Sequence, residues 1–438
     1  MNSRIKTKLD SSLIFRSGIA SVDQAILSAV NFFVSIILIK NVGKLEYGYY
    51  SIFYPMLLFF IAIQNAIINT PLAILLITKK GKDKQLYAGS LCYGQFIVII
   101  PIIFLALISV VLLWLYGMDS ILSGIIAALC IAVAGILYRE FLRSYFFAEE
   151  KPLKVLKLDI FYVMIFLSLI AFTLILFYIK TAFIFFYMGL SAAIVSLIVS
   201  RRQRWKYHLK SINKSYRENW KFGKWALLGV IVTHIQTYSY IYMLGALLGS
   251  VAVADVSAAR ILLMPLALFQ IGWSKIIIPY GSKLREQNQM KRFFNKQILA
   301  SLGITICIIL YVILLFTFSN ILFDVLLSEK YQSSFNYILY FGISFTLGFI
   351  KLNAANGLMV MKNFDILTKL NFLSMLITLI CTYFFIQNYG IRGGLIALII
   401  GEFILAIFLW FYFTKSIFSK SKNHIGSDVE RNLLQKNG

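Results

Sequence analysis

The chain has 438 residues, of which 60% are hydrophobic and 14% charged, and its mean hydropathy is +0.82. So few charges cannot give a soluble domain of this size a wet surface, and the composition specifies a polytopic helical membrane protein. A net charge of +24 would suggest nucleic acid in a soluble protein. Here the cations fall in short linkers between apolar runs, where they set topology and meet the anionic headgroups of membrane lipids, and no nucleic-acid partner is expected.

A helix needs roughly 20 apolar residues to cross about 30 Å of hydrocarbon. Twelve runs qualify, near 19–39, 47–69, 89–115, 121–146, 156–179, 181–200, 222–247, 254–280, 297–323, 334–360, 364–386 and 391–414. The first follows Arg4, Lys6, Lys8 and Arg16 with no small-residue cleavage site, so it reads as a retained helix and not a signal peptide. Cys92, Cys130, Cys307 and Cys381 sit singly in apolar runs, as packing residues do.

In mid-chain, residues 201–224 hold nine Lys/Arg against one acid, Glu218, and a loop so basic stays in the cytoplasm. With the N-terminus also placed there, the inner segments carry 35 Lys/Arg and the outer linkers five, leaving Arg260 and Lys351 inside spans. That asymmetry predicts twelve helices with both ends cytoplasmic. The expected plan is an N-terminal six-helix bundle over 1–200, a basic cytoplasmic linker over 201–221, a C-terminal six-helix bundle over 222–415, and a cytoplasmic tail over 416–438 without regular structure.

The halves echo one another. Gly18 parallels Gly223, Gly43 parallels Gly249 and Pro71 parallels Pro279, at offsets of 205, 206 and 208, and Glu150–Lys151 and Met361–Lys362 follow the fourth and tenth spans. Six helices repeated in the same sense make a parallel repeat, with a substrate route expected between the halves. Chance similarity of apolar segments is the alternative.

Four stretches go further: VGKLEYGYYS (42–51), LYREFLRSYFFAEEK (137–151), ADVSAARILLMPL (254–266) and YGIRGGLIALIIGE (389–402). In this order on twelve helices, they resemble the polysaccharide-transporter branch of the multidrug/oligosaccharidyl-lipid/polysaccharide exporter superfamily. The resemblance implies an all-α, V-shaped fold of two six-helix bundles working by alternating access. It also implies an activity: flipping undecaprenyl-diphosphate-linked oligosaccharide repeat units, such as O-antigen units, from the cytoplasmic to the periplasmic leaflet of the inner membrane. A polysaccharide polymerase and a chain-length regulator are further candidate partners.

A charge at mid-bilayer costs roughly 2.5–3.5 kcal/mol on insertion scales, so each one needs a partner or a function. Arg139, Glu140, Arg143 and Asp159 lie at the cytoplasmic ends of the fourth and fifth spans, where snorkelling or mutual pairing would account for them. On the first span, Asp23 joins Gln24, Ser28, Asn31 and Ser35 in a polar stripe, which suits either a wet cavity wall or interhelical bonding. On the seventh, His234, Tyr238 and Tyr242 share a face with Tyr240 nearby, for sugar stacking or for packing. Lys351, followed by Asn353 and Asn356, and Glu402 lie near mid-depth in the second half, where a structural ion pair is one account of them.

The candidate substrate-binding set is therefore Arg260, Lys351, Asp23, His234, Tyr238 and Asn31, with Asp23 and Glu402 as candidates for ion coupling. For Arg260 the competing account is snorkelling to the outer interface. No G-x-x-x-x-G-K-[ST] and no H-E-x-x-H occurs, so ATP, catalytic metal and other cofactors are not expected. Export would then draw on an ion gradient or the membrane potential, worth up to roughly 4.6 kcal/mol per 100 mV for a charge of −2. Two other classes stay open. A drug/cation antiporter of the same superfamily would favour an acidic cavity, and a membrane enzyme of glycan assembly would need a sizeable extracytoplasmic loop.

Overall fold

The computed structural model describes residues 3–117, 120–203 and 205–436, and these are helical with no strand among them. They form two compact units, Met1–His234 and Ile235–Gly438. In the first, α1 (Ser3–Asn41) is followed by α2 (Lys44–Gln64), a π-helical turn (Asn65–Asn69) and α3 (Thr70–Thr78). Then come α4 (Gly81–Leu115), α5 (Ser120–Ala148), α6 (Pro152–Leu176) and α7 (Thr181–Arg201). Helix α8 (Leu209–Leu248) begins in the first unit and ends in the second.

The second unit continues with α9 (Ser250–Ile261), α10 (Met264–Glu286), α11 (Met290–Thr317), α12 (Ser319–Val325) and a 3-10 turn (Glu329–Asn336). It closes with α13 (Tyr337–Val360) and α14 (Phe364–Lys436), which is broken at Gly390 (φ 60°, ψ −135°). A residue with a Cβ would be strained there, and the break lets one helical run serve as two.

Each of the twelve expected spans falls on these elements, with 47–69, 254–280, 297–323 and 334–360 each running across two consecutive ones. Nine helical segments of the described residues are long and apolar enough to cross a membrane, ten with the pair α9–α10. The segment Phe364–Phe418, counted once, holds the last two expected spans. The repeat is visible inside each unit. The second span is interrupted in both, by the π turn in one and by a 60° bend between α9 and α10 in the other. The fourth span of each ends alike. Glu150 (φ 58°) and Lys362 (φ 63°) take left-handed conformations, with bonds from Lys151 N to Phe146 O (2.9 Å) and from Asn363 N to Leu358 O (3.0 Å). This pattern closes a helix by satisfying carbonyls that the missing next turn leaves orphaned.

Two expectations differ from the structure. Residues 201–221 were expected to form a linker with the seventh helix starting at 222, but α8 is helical from Leu209. Ser215, Asn219 and Gly223 recur every fourth residue and bury one face, so the basic stretch folds as an amphipathic helix. The tail, expected to lack structure, continues α14 to Lys436, with no proline after Ser416 to stop it.

Small residues let the helices of the first unit approach closely. A Cβ on Gly135 of α5 would lie 2.1 Å from the Gly189 carbonyl of α7, so only glycine fits there. In the second unit, Trp273 Nε1 donates to Asn353 Oδ1 (2.7 Å) and Asn353 Nδ2 to Ser301 Oγ (2.7 Å). Asn356 Nδ2 donates to Ser274 Oγ (3.2 Å). The asparagines after Lys351 therefore tie α13 to α10 and α11, because buried amides in an apolar bundle must find partners.

Candidate functional site

The intramembrane charges gather in two places. In the first unit, α1, α5 and α6 bring together Asp23, Arg139, Glu140, Arg143 and Asp159. Arg143 is the hub. Its Nη2 donates to Asp23 Oδ2 (2.8 Å), its Nε lies 2.7 Å from Asp159 Oδ2, and its Nη1 donates to both Glu140 oxygens (2.9 Å each). Arg139 lies 3.2 Å from Glu140 and 3.3 Å from Asp159, with its guanidinium 3.9 Å from the centre of the Tyr162 ring.

Asp23 and Asp159 are each 1% exposed. Charges so deep persist only when paired, because the desolvation of each ion is repaid by the others. Asp23 therefore departs from the wet wall suggested by its stripe. Its neighbours divide: Gln24 is exposed, Ser28 is buried, and Asn31 and Ser35 are half-buried, with Ser35 Oγ donating to the Asn31 carbonyl (2.9 Å).

In the second unit, α8, α10, α13, α14 and the end of α9 enclose a cavity of about 260 Å³. Its wall includes Tyr240, Arg260, Gln270, Ser344, Lys351 and Glu402. Lys351 Nζ lies 2.5 Å from Glu402 Oε2, so these two charges neutralise each other. Arg260 is different. Its Nη1 donates to Tyr240 Oη (3.1 Å), its guanidinium lies 5.7 Å from the Tyr238 ring, and among the described residues no carboxylate pairs with it. Because Tyr240 is 1% exposed, the guanidinium is directed into the bundle and not toward an interface. The cavity wall thus carries one cation without an internal counter-charge.

Of the candidate residues, the structure unites Arg260, Lys351 and Glu402, with Tyr238 beside Arg260. Asp23 belongs to the first cluster. His234 stacks on Phe59 of α2 (ring centroids 4.4 Å apart), within the first unit. Gln270 is a wall residue that the sequence did not single out, and Tyr240, noted there only as near the His234 face, was left out of the candidate set. Gln270, an uncharged amide in an apolar run, gave a signal of the same kind as the asparagines. Tyr240 gave only a weak one, since it differs from its neighbouring tyrosines only in the face it occupies.

No family model matches the chain. A curated protein of Shigella flexneri, described as "Putative O-antigen transporter", is 22% identical over 250 residues, covering 54% of this chain and 59% of that protein. Among solved structures, an inward-facing multidrug resistance MATE family transporter of the MOP superfamily superposes with a TM-score of 0.74. It is 13% identical, over 90% of this chain and 95% of that one. The lipid II flippase MurJ, in an inward closed conformation, gives 0.68 at 16% identity over 90% and 86%. The fold is that of the MOP superfamily transporters. The similarities are to transporters and to a flippase.

Proposed function

We propose that the chain flips undecaprenyl-diphosphate-linked oligosaccharide repeat units from the cytoplasmic to the periplasmic leaflet of the inner membrane, with both termini in the cytoplasm. One observation carries this reading. Arg260, which pairs with no carboxylate among the described residues, faces a cavity in whose wall the other cation is already neutralised by Glu402. Such a site favours an anion, and a planar guanidinium can hold two phosphate oxygens at once. Lys351 becomes a second ligand for the diphosphate when Glu402 releases it. The hydroxyl and amide groups of Tyr240, Ser344 and Gln270 offer partners for sugar. The partial similarity to the O-antigen transporter supports the glycan class, and the similarity to MurJ supports flipping of a lipid-linked substrate. Glu402 remains a proposed ion-coupling carboxylate, whereas Asp23, held by Arg143, is assigned to the scaffold, and a polymerase and chain-length regulator are the proposed partners downstream.

A second reading, drug/cation antiport, is favoured by the MATE superposition. A cation-lined cavity opposes it. The test is a deletion strain. The flippase reading expects complete lipid-linked repeat units to accumulate in the cytoplasmic leaflet while long surface glycan disappears. Persistence of surface glycan with loss of dye efflux would replace it with the antiporter.

A further inference from the structure

A second cavity, of about 430 Å³, lies wholly within the first unit, where the α3–α4 corner meets the amphipathic start of α8. Its wall holds three lysines, Lys79, Lys80 and Lys214, and two acids, Asp83 and Glu218. Thr78, Tyr87, Ser211 and Ser215 supply hydroxyls.

Several of these groups are fixed by bonds to the surrounding wall. Lys79 Nζ lies 2.9 Å from Glu218 Oε2 and 4.7 Å from the centre of the Tyr87 ring. The Tyr87 hydroxyl donates to Asn219 Oδ1 (2.5 Å), and Ser211 Oγ lies 2.6 Å from Ser90 Oγ. Close backbone approach holds α8 down. A Cβ on Gly223 would lie 2.6 Å from the Ala66 carbonyl in the π turn, and one on Gly94 would enter the Tyr216 ring at 2.2 Å. With Glu218 committed to Lys79, the remaining charges are Lys80, Lys214 and Asp83, all exposed at the rim. Among the described residues neither Lys80 nor Lys214 forms an ion pair. The wall therefore carries an excess of one positive charge, in a rigid pocket at the basic membrane face.

We infer that this cavity binds the phosphate of an anionic phospholipid from the cytoplasmic leaflet, gripped by Lys80 and Lys214 with the Ser215 hydroxyl beside them, the Thr78 and Ser211 hydroxyls already donating to Leu75 O (2.8 Å) and His208 O (2.6 Å). The charge complementarity is direct, and basic pockets between helices on this side of a membrane hold lipid headgroups in this way. The site lies outside the substrate cavity and does not depend on what that cavity carries. Yet α8 lines both, through Ser211, Lys214, Ser215 and Glu218 in one and Thr237 and Tyr240 in the other. A lipid seated here holds the first turns of the helix that forms part of the transport wall.

The purified full-length chain in neutral detergent is titrated with short-chain phosphatidylglycerol, with phosphatidylcholine and sodium pyrophosphate in parallel arms, and retained molecules are counted by native mass spectrometry. Phosphatidylglycerol is expected to be retained over phosphatidylcholine. Each lysine near a lipid surface is worth about 1 kcal/mol, or about fivefold. Lys80→Gln with Lys214→Gln is then expected to weaken retention about 25-fold. Asp83→Asn, which removes a like charge from the rim, is expected to tighten it about fivefold. The control pair Lys210→Gln and Lys221→Gln removes two exposed lysines of the same helix outside the cavity, and it is expected to change retention less than twofold. All five positions are exposed, so thermal unfolding is expected to stay unchanged. Equal loss in the control pair would make the attraction a general property of the basic face and overturn the site. Pyrophosphate that binds as tightly and displaces the lipid would assign the cavity to a free diphosphate instead.

Discussion

The two clusters of intramembrane charge are built on opposite principles. In the first unit, Arg139 and Arg143 meet Asp23, Glu140 and Asp159, so every cation is satisfied by carboxylates across three helices and one carboxylate is in excess. In the second, Lys351 and Glu402 neutralise each other while Arg260 reaches only tyrosines. A network whose cations are all paired resists rearrangement, because opening it strands charge in hydrocarbon. An incomplete one has an unspent interaction to offer a ligand. Charge in a membrane helix can thus build the scaffold or serve the site, and the partner list tells which.

The largest expected effect comes from breaking the network of the first unit. Arg143→Ala would leave the buried carboxylates of Asp23 and Asp159 and the half-buried one of Glu140 with one guanidinium among them, at a cost of about 3–5 kcal/mol. The expected outcome is loss of folded protein, read as membrane yield and as a lowered unfolding temperature. Wild-type yield combined with a selective loss of transport would move Arg143 from scaffold to site.

Arg260→Ala is expected to do the reverse. Yield and unfolding temperature should hold, while export of lipid-linked glycan falls about 10- to 100-fold, the equivalent of one charge-assisted hydrogen bond of roughly 1.5–3 kcal/mol. Arg260→Lys should restore export only in part, since a lysine keeps the charge without the planar fork. Normal export by Arg260→Ala would make the residue an anchor and remove the basis of the contrast.

How much of this contrast was legible in the sequence follows from what each residue type reveals. Charges in apolar runs stand out, so every member of both clusters was identifiable before any coordinates. Their grouping was not. Asp23 and Asn31 share a helical stripe, but Asp23 is drawn to Arg143, 120 positions along the chain, and only tertiary packing could bring the two together. The span count was readable because hydropathy has the length scale of the bilayer. The start of α8 was not, because hydropathy registers apolar runs. There the helix buries a narrow polar face, Ser215 and Asn219, and exposes its cations. Tyr240 was hidden for a related reason, as one of 25 tyrosines.

The Lys351–Glu402 pair lies between the two extremes, being internally paired but at a cavity wall. Lys351→Met and Glu402→Gln are each expected to lower export. The double variant should recover part of the loss, with a coupling energy of about 1–3 kcal/mol, in the range found for residues in direct contact. Strict additivity would show that the two charges act independently and that the pair does not set the charge of the cavity.

The smallest effect is expected where the same kinds of charge meet at the membrane edge. Glu149, just past the end of α5, pairs with Lys84 and lies 2.8 Å from Lys151 Nζ. Burial pushes its carboxyl up, but the hydrogen bonds and charges of Lys151 and Lys84 outweigh it and hold the group below the ordinary carboxylate range. A depressed carboxyl stabilises the fold above its unfolded pKa, about 4.3, and that contribution is lost as the pH falls through the lower, folded value. Glu149→Gln should therefore lower stability at neutral pH by no more than about 1 kcal/mol, the ceiling for ion pairs screened by solvent. The difference from wild type should vanish in acid, below the folded value. This variant separates burial from the mere number of partners, because Glu149 has two cations beside it and Lys151 is 47% exposed, whereas Asp23 is 1% exposed. If Glu149→Gln cost as much as Arg143→Ala, depth in the membrane would not be what makes the first cluster a scaffold.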